Sequence, residues 1–171
     1  MYVHEEKGVA FIAHPKTASL AMSYTLLDIG FTQIGSHHQF KEIWCLEHTF
    51  SVVRNPFDLF VSWYYSQPEK LGETFETWAA RVIKPRSPYS YVNDMFFGLK
   101  FSTDVLRFES LQEDFDRFTE KVGLPRTEIK RTNVSERRKG RDFAACYNPQ
   151  TIHQVVSFFK DEILDNGYEM L

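Results

Sequence analysis

A lysine near the start of the chain lies in a segment whose residue types suit the binding of a phosphate or sulfate group. The segment is His14-Pro15-Lys16-Thr17-Ala18-Ser19, between an apolar run and a helical pattern. A tight turn from a strand into a helix directs backbone N–H groups at one point, where the helix dipole also favours an anion. Lys16 adds a positive charge, and Thr17 and Ser19 add hydroxyl donors. The sequence therefore predicts an anion-binding turn.

This segment differs from the phosphate loop of nucleoside triphosphatases. That loop has the pattern G-x-x-x-x-G-K-[ST], with glycines and with the lysine at its end. Here the glycines are missing, and Lys16 lies near the start of the turn. By itself, the segment is also compatible with an ordinary strand-to-helix connection that carries a surface lysine.

Apolar runs alternate with helical patterns along the chain. Residues 8–13, 49–54 and 104–108 are short apolar runs, which are typical of strands in a parallel sheet. Strands that alternate with helices indicate an α/β layered domain. We therefore expect an α/β fold with a P-loop-like parallel sheet flanked by helices, in a single compact domain that covers residues 1–171.

Polar residues mark where several of the helices begin. Asn55 precedes Pro56, and Asn148 precedes a proline in the same way, which predicts two N-caps, each followed by proline at the first helical position. Ser110 and Glu113 have the spacing of a capping box for a helix between them and Gly123.

Composition limits the classes of function. The chain has 171 residues and a net charge of −3, so it has no general basic field for nucleic acid or an anionic membrane, and any anion site must be local. Cys45 and Cys146 do not make a disulfide framework. With no run as long as a membrane helix, and with a polar start rather than a signal peptide, we expect a cytoplasmic protein. The sequence does not indicate an oligomeric state.

A second segment gives the lysine turn a more specific meaning. Arg54-Asn55-Pro56 is followed by Ser62 and Tyr64, in the pattern R-[ND]-P-x-x-x-x-x-S-x-Y. With the turn, which matches P-K-T-x-[ST], it resembles the carbohydrate-type branch of the sulfotransferase superfamily. The run from Leu106 to Leu111 is similar to a third pattern of that family, R-[FY]-E-x-L. The likeness extends from about Gly8 to Tyr168.

The resemblance implies a donor, a reaction and a donor site. The donor would be 3′-phosphoadenosine 5′-phosphosulfate, and the acceptor a hydroxyl group of a carbohydrate or small molecule, with no metal. The turn would bind the 5′-phosphosulfate, and Lys16 would also stabilise the bridging oxygen as it leaves. The residues expected to contact this end of the donor are Pro15, Lys16, Thr17, Ala18, Ser19 and Leu20.

The resemblance also implies a site for the 3′-phosphate. Arg54 and Ser62 would bind it, since a guanidinium can hold a phosphate through two parallel hydrogen bonds. Arg137-Arg138-Lys139-Gly140 resembles an R-K-G element with which cytosolic sulfotransferases close over this group. Arg138 and Lys139 are therefore further candidates.

A hydroxyl acceptor needs a general base, and histidine suits that role near neutral pH. The family places one between the two motifs, where this chain has His37 and His38. The position of Glu42-Ile43 fits the family pattern H-x-x-x-x-E-I if His37 is the base, and His38 stays an alternative. The acceptor is expected to contact residues 84–101.

One departure from the family keeps other functions open. The family turn usually continues with Ser or Thr, whereas this chain has Leu20 and Ala21, which lack hydroxyl donors. The alternatives are a nucleotide kinase-like phosphotransferase and a non-catalytic nucleotide-binding protein of the same fold. Against the first alternative, this chain lacks a Gly-Lys-Ser/Thr element and an acidic metal ligand after a strand.

Overall fold

The computed structural model of the chain describes residues 1–35, 46–67, 72–83, 97–132 and 142–171. These residues form an α/β fold with a five-stranded mixed sheet in the order β3-β1-β2-β4-β5. Strands β2, β4 and β5 are parallel, and β1 is antiparallel to both of its neighbours. The strands are β1 (Tyr2–His4), β2 (Val9–Ile12), β3 (Thr32–Gln33), β4 (His48–Val53) and β5 (Asp104–Arg107).

The expected parallel sheet is therefore only partly correct, because β1 was not predicted. A single 3-10 turn, Glu5–Lys7, follows β1 and ends at Gly8, whose φ is +61°. Glycine adopts this left-handed conformation without a steric penalty, and the chain reverses there. Residues 2–4 consequently pair with residues 9–11 in the antiparallel direction.

Five α-helices lie in the described part of the chain. Of the helices described, none combines the length and the apolar composition that crossing a membrane requires. The helices are α1 (Ser19–Asp28), α2 (Pro56–Tyr65), α3 (Phe75–Val82), α4 (Leu111–Val122) and α5 (Pro149–Asp165).

By its internal contacts the chain groups into two compact units. The first comprises Met1–Arg54 with Met95–Asn133 and holds the whole sheet, α1 and α4. The second comprises Asn55–Asp94 with Val134–Leu171 and holds α2, α3 and α5. The expectation of a single domain over residues 1–171 stays a prediction.

In the first unit, α1 and α4 cover one face of the sheet. Phe11 and Phe50 lie on neighbouring strands with ring centroids 5.0 Å apart, and Phe118 of α4 packs 4.4 Å from Phe50. Met22 and Leu26 of α1 are fully buried in the same cluster. Burying such side chains contributes about 1.5–3 kcal/mol each, so this face fixes both helices on the sheet.

In the second unit, aromatic rings pack around Trp78 of α3. Phe60, Trp63, Tyr64 and Phe75 all have ring contacts with it. These pairs are tilted or edge-to-face, the arrangements that aromatic quadrupoles prefer. The high aromatic content of the chain thus builds a core here.

The three predicted helices begin where expected, and two of the three predicted side-chain caps form. The Asn55 side chain accepts from Phe57 N–H, and Asn148 forms a capping box with Thr151. The capping box predicted for Ser110 is wrong, because residues 108–110 form a 3-10 turn that leads directly into α4 and the Ser110 side chain makes no cap bond. Gly123, at φ +68°, ends α4 as expected.

The segment after α4 is held to the helices by side chains. The Gln112 amide donates to Thr127 O at 3.1 Å and accepts from Ile129 N–H at 2.8 Å. Lys130 N–H donates to the hydroxyl of the buried Thr25 in α1 at 3.0 Å. Gln112 therefore pairs with residues 127–129 much as a neighbouring strand would.

We expect Gln112→Ala to lower the free energy of unfolding by about 1–3 kcal/mol, because two backbone groups of the segment lose their partner. Urea denaturation measures this change. Glu113→Ala, at the exposed neighbouring position, is the control and should stay within about 0.5 kcal/mol of wild type. Equal losses in the two variants would contradict a specific role for Gln112.

Candidate functional site

The turn between β2 and α1 contains two residues in the left-handed backbone region. Lys16 has φ +64° and Ala18 has φ +60°, and neither is glycine. This conformation costs an L-residue roughly 1–2 kcal/mol. Two such residues within three positions persist only where surrounding contacts hold them, and strain of this kind clusters at functional sites.

Contacts inside the turn provide part of that support. The hydroxyl of Thr17 is fully buried and donates to His14 O at 3.0 Å. The sequence predicted this hydroxyl as a donor to the ligand, whereas in the structure its proton closes the turn. His14 is itself buried.

Gly98 lies against the same turn. A Cβ atom at this position would come within 2.5 Å of Ile12 Cγ2 and 2.6 Å of His14 Cε1. Real Cβ atoms do not approach so closely, so only glycine fits without displacing its neighbours. Gly98 thereby lets the 3-10 segment Phe97–Phe101 pack directly against the base of the turn.

Helix α1 begins immediately after the turn without a side-chain cap. Its N-cap residue is Ala18, whose methyl group cannot accept a hydrogen bond. Ser19 and Ala21 are buried, and Leu20 is half-buried. The first N–H groups of a helix lack partners within it, and the helix dipole makes an anion a favourable acceptor at this end.

Arg54 connects the end of β4 to this turn. Its Nη1 donates to Lys16 O at 2.9 Å. Its guanidinium carbon lies 3.9 Å from the centroid of the Phe108 ring, which is a cation–π contact. The residue is only 6% exposed, so its side chain is held in one position.

The Lys16 side chain has an unfavourable electrostatic environment. Its burial, and to a smaller extent the positive charge of Arg54, lower the pKa of its ammonium group. A bound anion would offset both effects, since it would supply an opposite charge. The arrangement can therefore attract an anion although the whole chain has a net charge of −3.

The sheet order explains why these residues meet. The turn follows β2, Arg54 follows β4 and Phe108 follows β5, and these three strands are neighbours that run in one direction. Their carboxyl ends therefore lie at one edge of the sheet, where ligands gather in open α/β folds.

The structure brings together some of the predicted site residues and does not describe others. Pro15, Lys16, Thr17, Ala18, Ser19, Leu20 and Arg54 all belong to the first unit, at or beside the turn. Ser62 lies on α2 in the second unit and is half-buried. His37, His38, Arg138 and Lys139 lie outside the described residues.

Two residues at this site were missed by the sequence analysis. Phe108 was identified only as part of a family pattern, and Gly98 only as one residue of the stretch 84–101 that is expected to contact the acceptor. The signal for Phe108 was its place directly after a predicted strand, as with Arg54. Gly98 had no signal, because its role depends on a close approach between segments distant in sequence.

Comparisons with protein-family models, with curated proteins and with solved structures found no match to this chain.

The strained backbone at Ala18 predicts that substitution of this residue by glycine will not destabilise the fold. We expect Ala18→Gly to leave the free energy of unfolding unchanged or to raise it by up to about 1 kcal/mol, because glycine is not strained at φ +60°. Chemical denaturation measures the change. Ala21→Gly, inside the same helix, is the control and should lose about 1 kcal/mol or more. A similar loss at both positions would argue against strain at Ala18.

The lowered pKa of Lys16 predicts a pH dependence of stability. Between the folded pKa and the higher unfolded value, the unfolded chain binds more protons, so this residue makes stability rise with pH. The difference in unfolding free energy between wild type and Lys16→Met should therefore shift in favour of wild type as the pH rises toward the ordinary lysine pKa. Denaturation curves from neutral pH upward measure this difference, and a constant difference would contradict the prediction.

Proposed function

We propose that the chain is a sulfotransferase that transfers a sulfuryl group from 3′-phosphoadenosine 5′-phosphosulfate to the hydroxyl group of a carbohydrate or small molecule. One observation carries the proposal. Lys16, in a strained turn at the start of an uncapped helix, lies beside the buried guanidinium of Arg54. Both belong to the sequence patterns that resemble sulfotransferases.

The geometry of the turn fits the 5′ end of the donor. An anion at the N terminus of α1 would meet the backbone N–H groups of its first turn, together with the Lys16 ammonium. Backbone donors do not depend on side chains, so Leu20 and Ala21 leave this part of the site intact. The P-loop-like character of the sheet and a cytoplasmic location are parts of the same proposal.

The 3′-phosphate has less structural support. Arg54 is the candidate whose contacts are described, and it lies next to the turn. Ser62, Arg138 and Lys139 are proposed from the resemblance alone.

The chemistry needs positioning and charge stabilisation. The acceptor oxygen forms a bond to sulfur, while the bond from sulfur to the bridging phosphate oxygen breaks. Negative charge then grows on that oxygen, where the Lys16 ammonium would stabilise it. The acceptor proton would pass to His37 or His38, the proposed alternatives for the general base.

The proposal predicts which nucleotide stabilises the fold. Adenosine 3′,5′-bisphosphate, the desulfated product, should raise the melting temperature in a concentration-dependent way, since a ligand that binds only the folded state stabilises it by mass action. Differential scanning fluorimetry measures the shift. No shift at millimolar bisphosphate, with a clear shift for ATP and Mg²⁺, would favour the phosphotransferase alternative.

A variant of the turn separates binding from chemistry. Lys16→Met should abolish transfer of labelled sulfate while it keeps most of the thermal shift from adenosine 3′,5′-bisphosphate. A stabilised wild type that transfers sulfate to no sugar, steroid or phenol would favour the non-catalytic alternative. Full activity in Lys16→Met would remove this lysine from the reaction.

A further inference from the structure

Arg54 makes contacts within the protein that a residue serving only to bind a phosphate would not need. It is 6% exposed, and its Nη1 bonds to the carbonyl of Lys16 inside the protein. We propose that Arg54 is a positioning residue, which fixes the Lys16 peptide and thereby the left-handed turn that receives the 5′ end of the donor. The inference rests on the proposed function for the identity of the ligand, but the contacts of Arg54 do not depend on it.

The hydrogen bond fixes more than one carbonyl group. A trans peptide unit is planar and carries its C=O and N–H on opposite sides. A bond that holds Lys16 O therefore also sets the direction of Thr17 N–H. If this peptide rotated, ψ of Lys16 and φ of Thr17 would change, and the turn that holds Lys16 at φ +64° would change shape. The Arg54 bond opposes that rotation.

Phe108 restricts where the Arg54 guanidinium can lie. Its ring lies 3.9 Å from the guanidinium carbon and itself packs against the hydrophobic core of the first unit. A flat guanidinium can stack on an aromatic face while N–H groups fixed in its plane donate hydrogen bonds, whereas an ammonium has no such planar set of donors. The residue that follows β5 thus contacts the Arg54 guanidinium, and that guanidinium bonds to the turn.

This role makes a prediction that differs from direct binding of the 3′-phosphate. A residue that only binds the 3′-phosphate contributes nothing to a ligand that lacks this group. A residue that shapes the 5′ turn contributes equally to ligands with and without it. Adenosine 5′-phosphosulfate and 3′-phosphoadenosine 5′-phosphosulfate differ only in the 3′-phosphate, so the pair separates the two roles.

The test measures both ligands by isothermal titration calorimetry on wild type and Arg54→Met. We expect the variant to lose about 10- to 100-fold in affinity for each ligand, the range for a hydrogen bond that involves a charged group. Arg117→Met, which removes an exposed arginine from α4 in the same unit, is the matched control and should keep the affinity of wild type for both. A loss confined to the ligand with the 3′-phosphate would overturn the positioning role.

Two further variants test the geometry rather than the charge. Arg54→Lys keeps the positive charge without a flat group, and Phe108→Leu removes the ring but keeps an apolar side chain. We expect both to weaken the two ligands by similar factors. Wild-type affinities in both variants would mean that charge alone is sufficient, and would overturn the proposal.

A measurement without ligand separates this inference from the proposed function. Amide hydrogen exchange should become faster at residues 16–21 in Arg54→Met, while α4 keeps the protection of wild type. If wild type binds neither nucleotide, the proposed function fails, and the exchange of the turn still decides whether Arg54 holds it. Unchanged exchange at residues 16–21 would overturn the positioning role whatever the ligand.

Discussion

The candidate site depends on one hydrogen bond, from the Arg54 guanidinium to the Lys16 carbonyl. It connects the end of β4 to the turn after β2, two segments that are 38 residues apart in the chain. Lys16 and Ala18 occupy a backbone region that L-residues avoid, so the turn needs support from outside itself. Arg54 supplies that support from the end of β4, while Thr17 supplies it from within the turn.

The same bond creates the electrostatic character of the site. It holds a guanidinium next to a half-buried ammonium, although like charges repel and burial disfavours both. Hydrophobic packing of α1 and α4 on the sheet offsets this cost. Side chains with perturbed pKa values cluster at functional sites, which makes this turn a candidate for one.

Much of the fold could be predicted from the sequence, since its signals are local. The apolar runs predicted β2, β4 and β5, and Asn55 and Asn148 predicted two helix starts. Strand β1 has only three residues, and its direction depends on the turn at Gly8, so the mixed sheet could not be predicted from apolar patterns. The Ser110 cap failed because a 3-10 turn changes the local backbone at that residue.

The site was predicted in part, for a related reason. Residue types identified Lys16 and the resemblance to sulfotransferases identified Arg54, and both residues follow neighbouring parallel strands. The left-handed conformation was not predictable, since glycine is the usual signal for it and this turn has none. The use of the Thr17 hydroxyl within the turn depends on that local backbone conformation, and the contact between Arg54 and Phe108 depends on tertiary geometry.

The close approach of Gly98 to Ile12 and His14 has a mechanical consequence. Ser102 and Thr103, just after the 3-10 segment Phe97–Phe101, bond to side chains or backbone of β4, and Gly98 leaves no gap against His14. Close-packed interiors transmit displacement because they compress little. A shift of this segment would therefore displace His14 and, with it, the turn between β2 and α1.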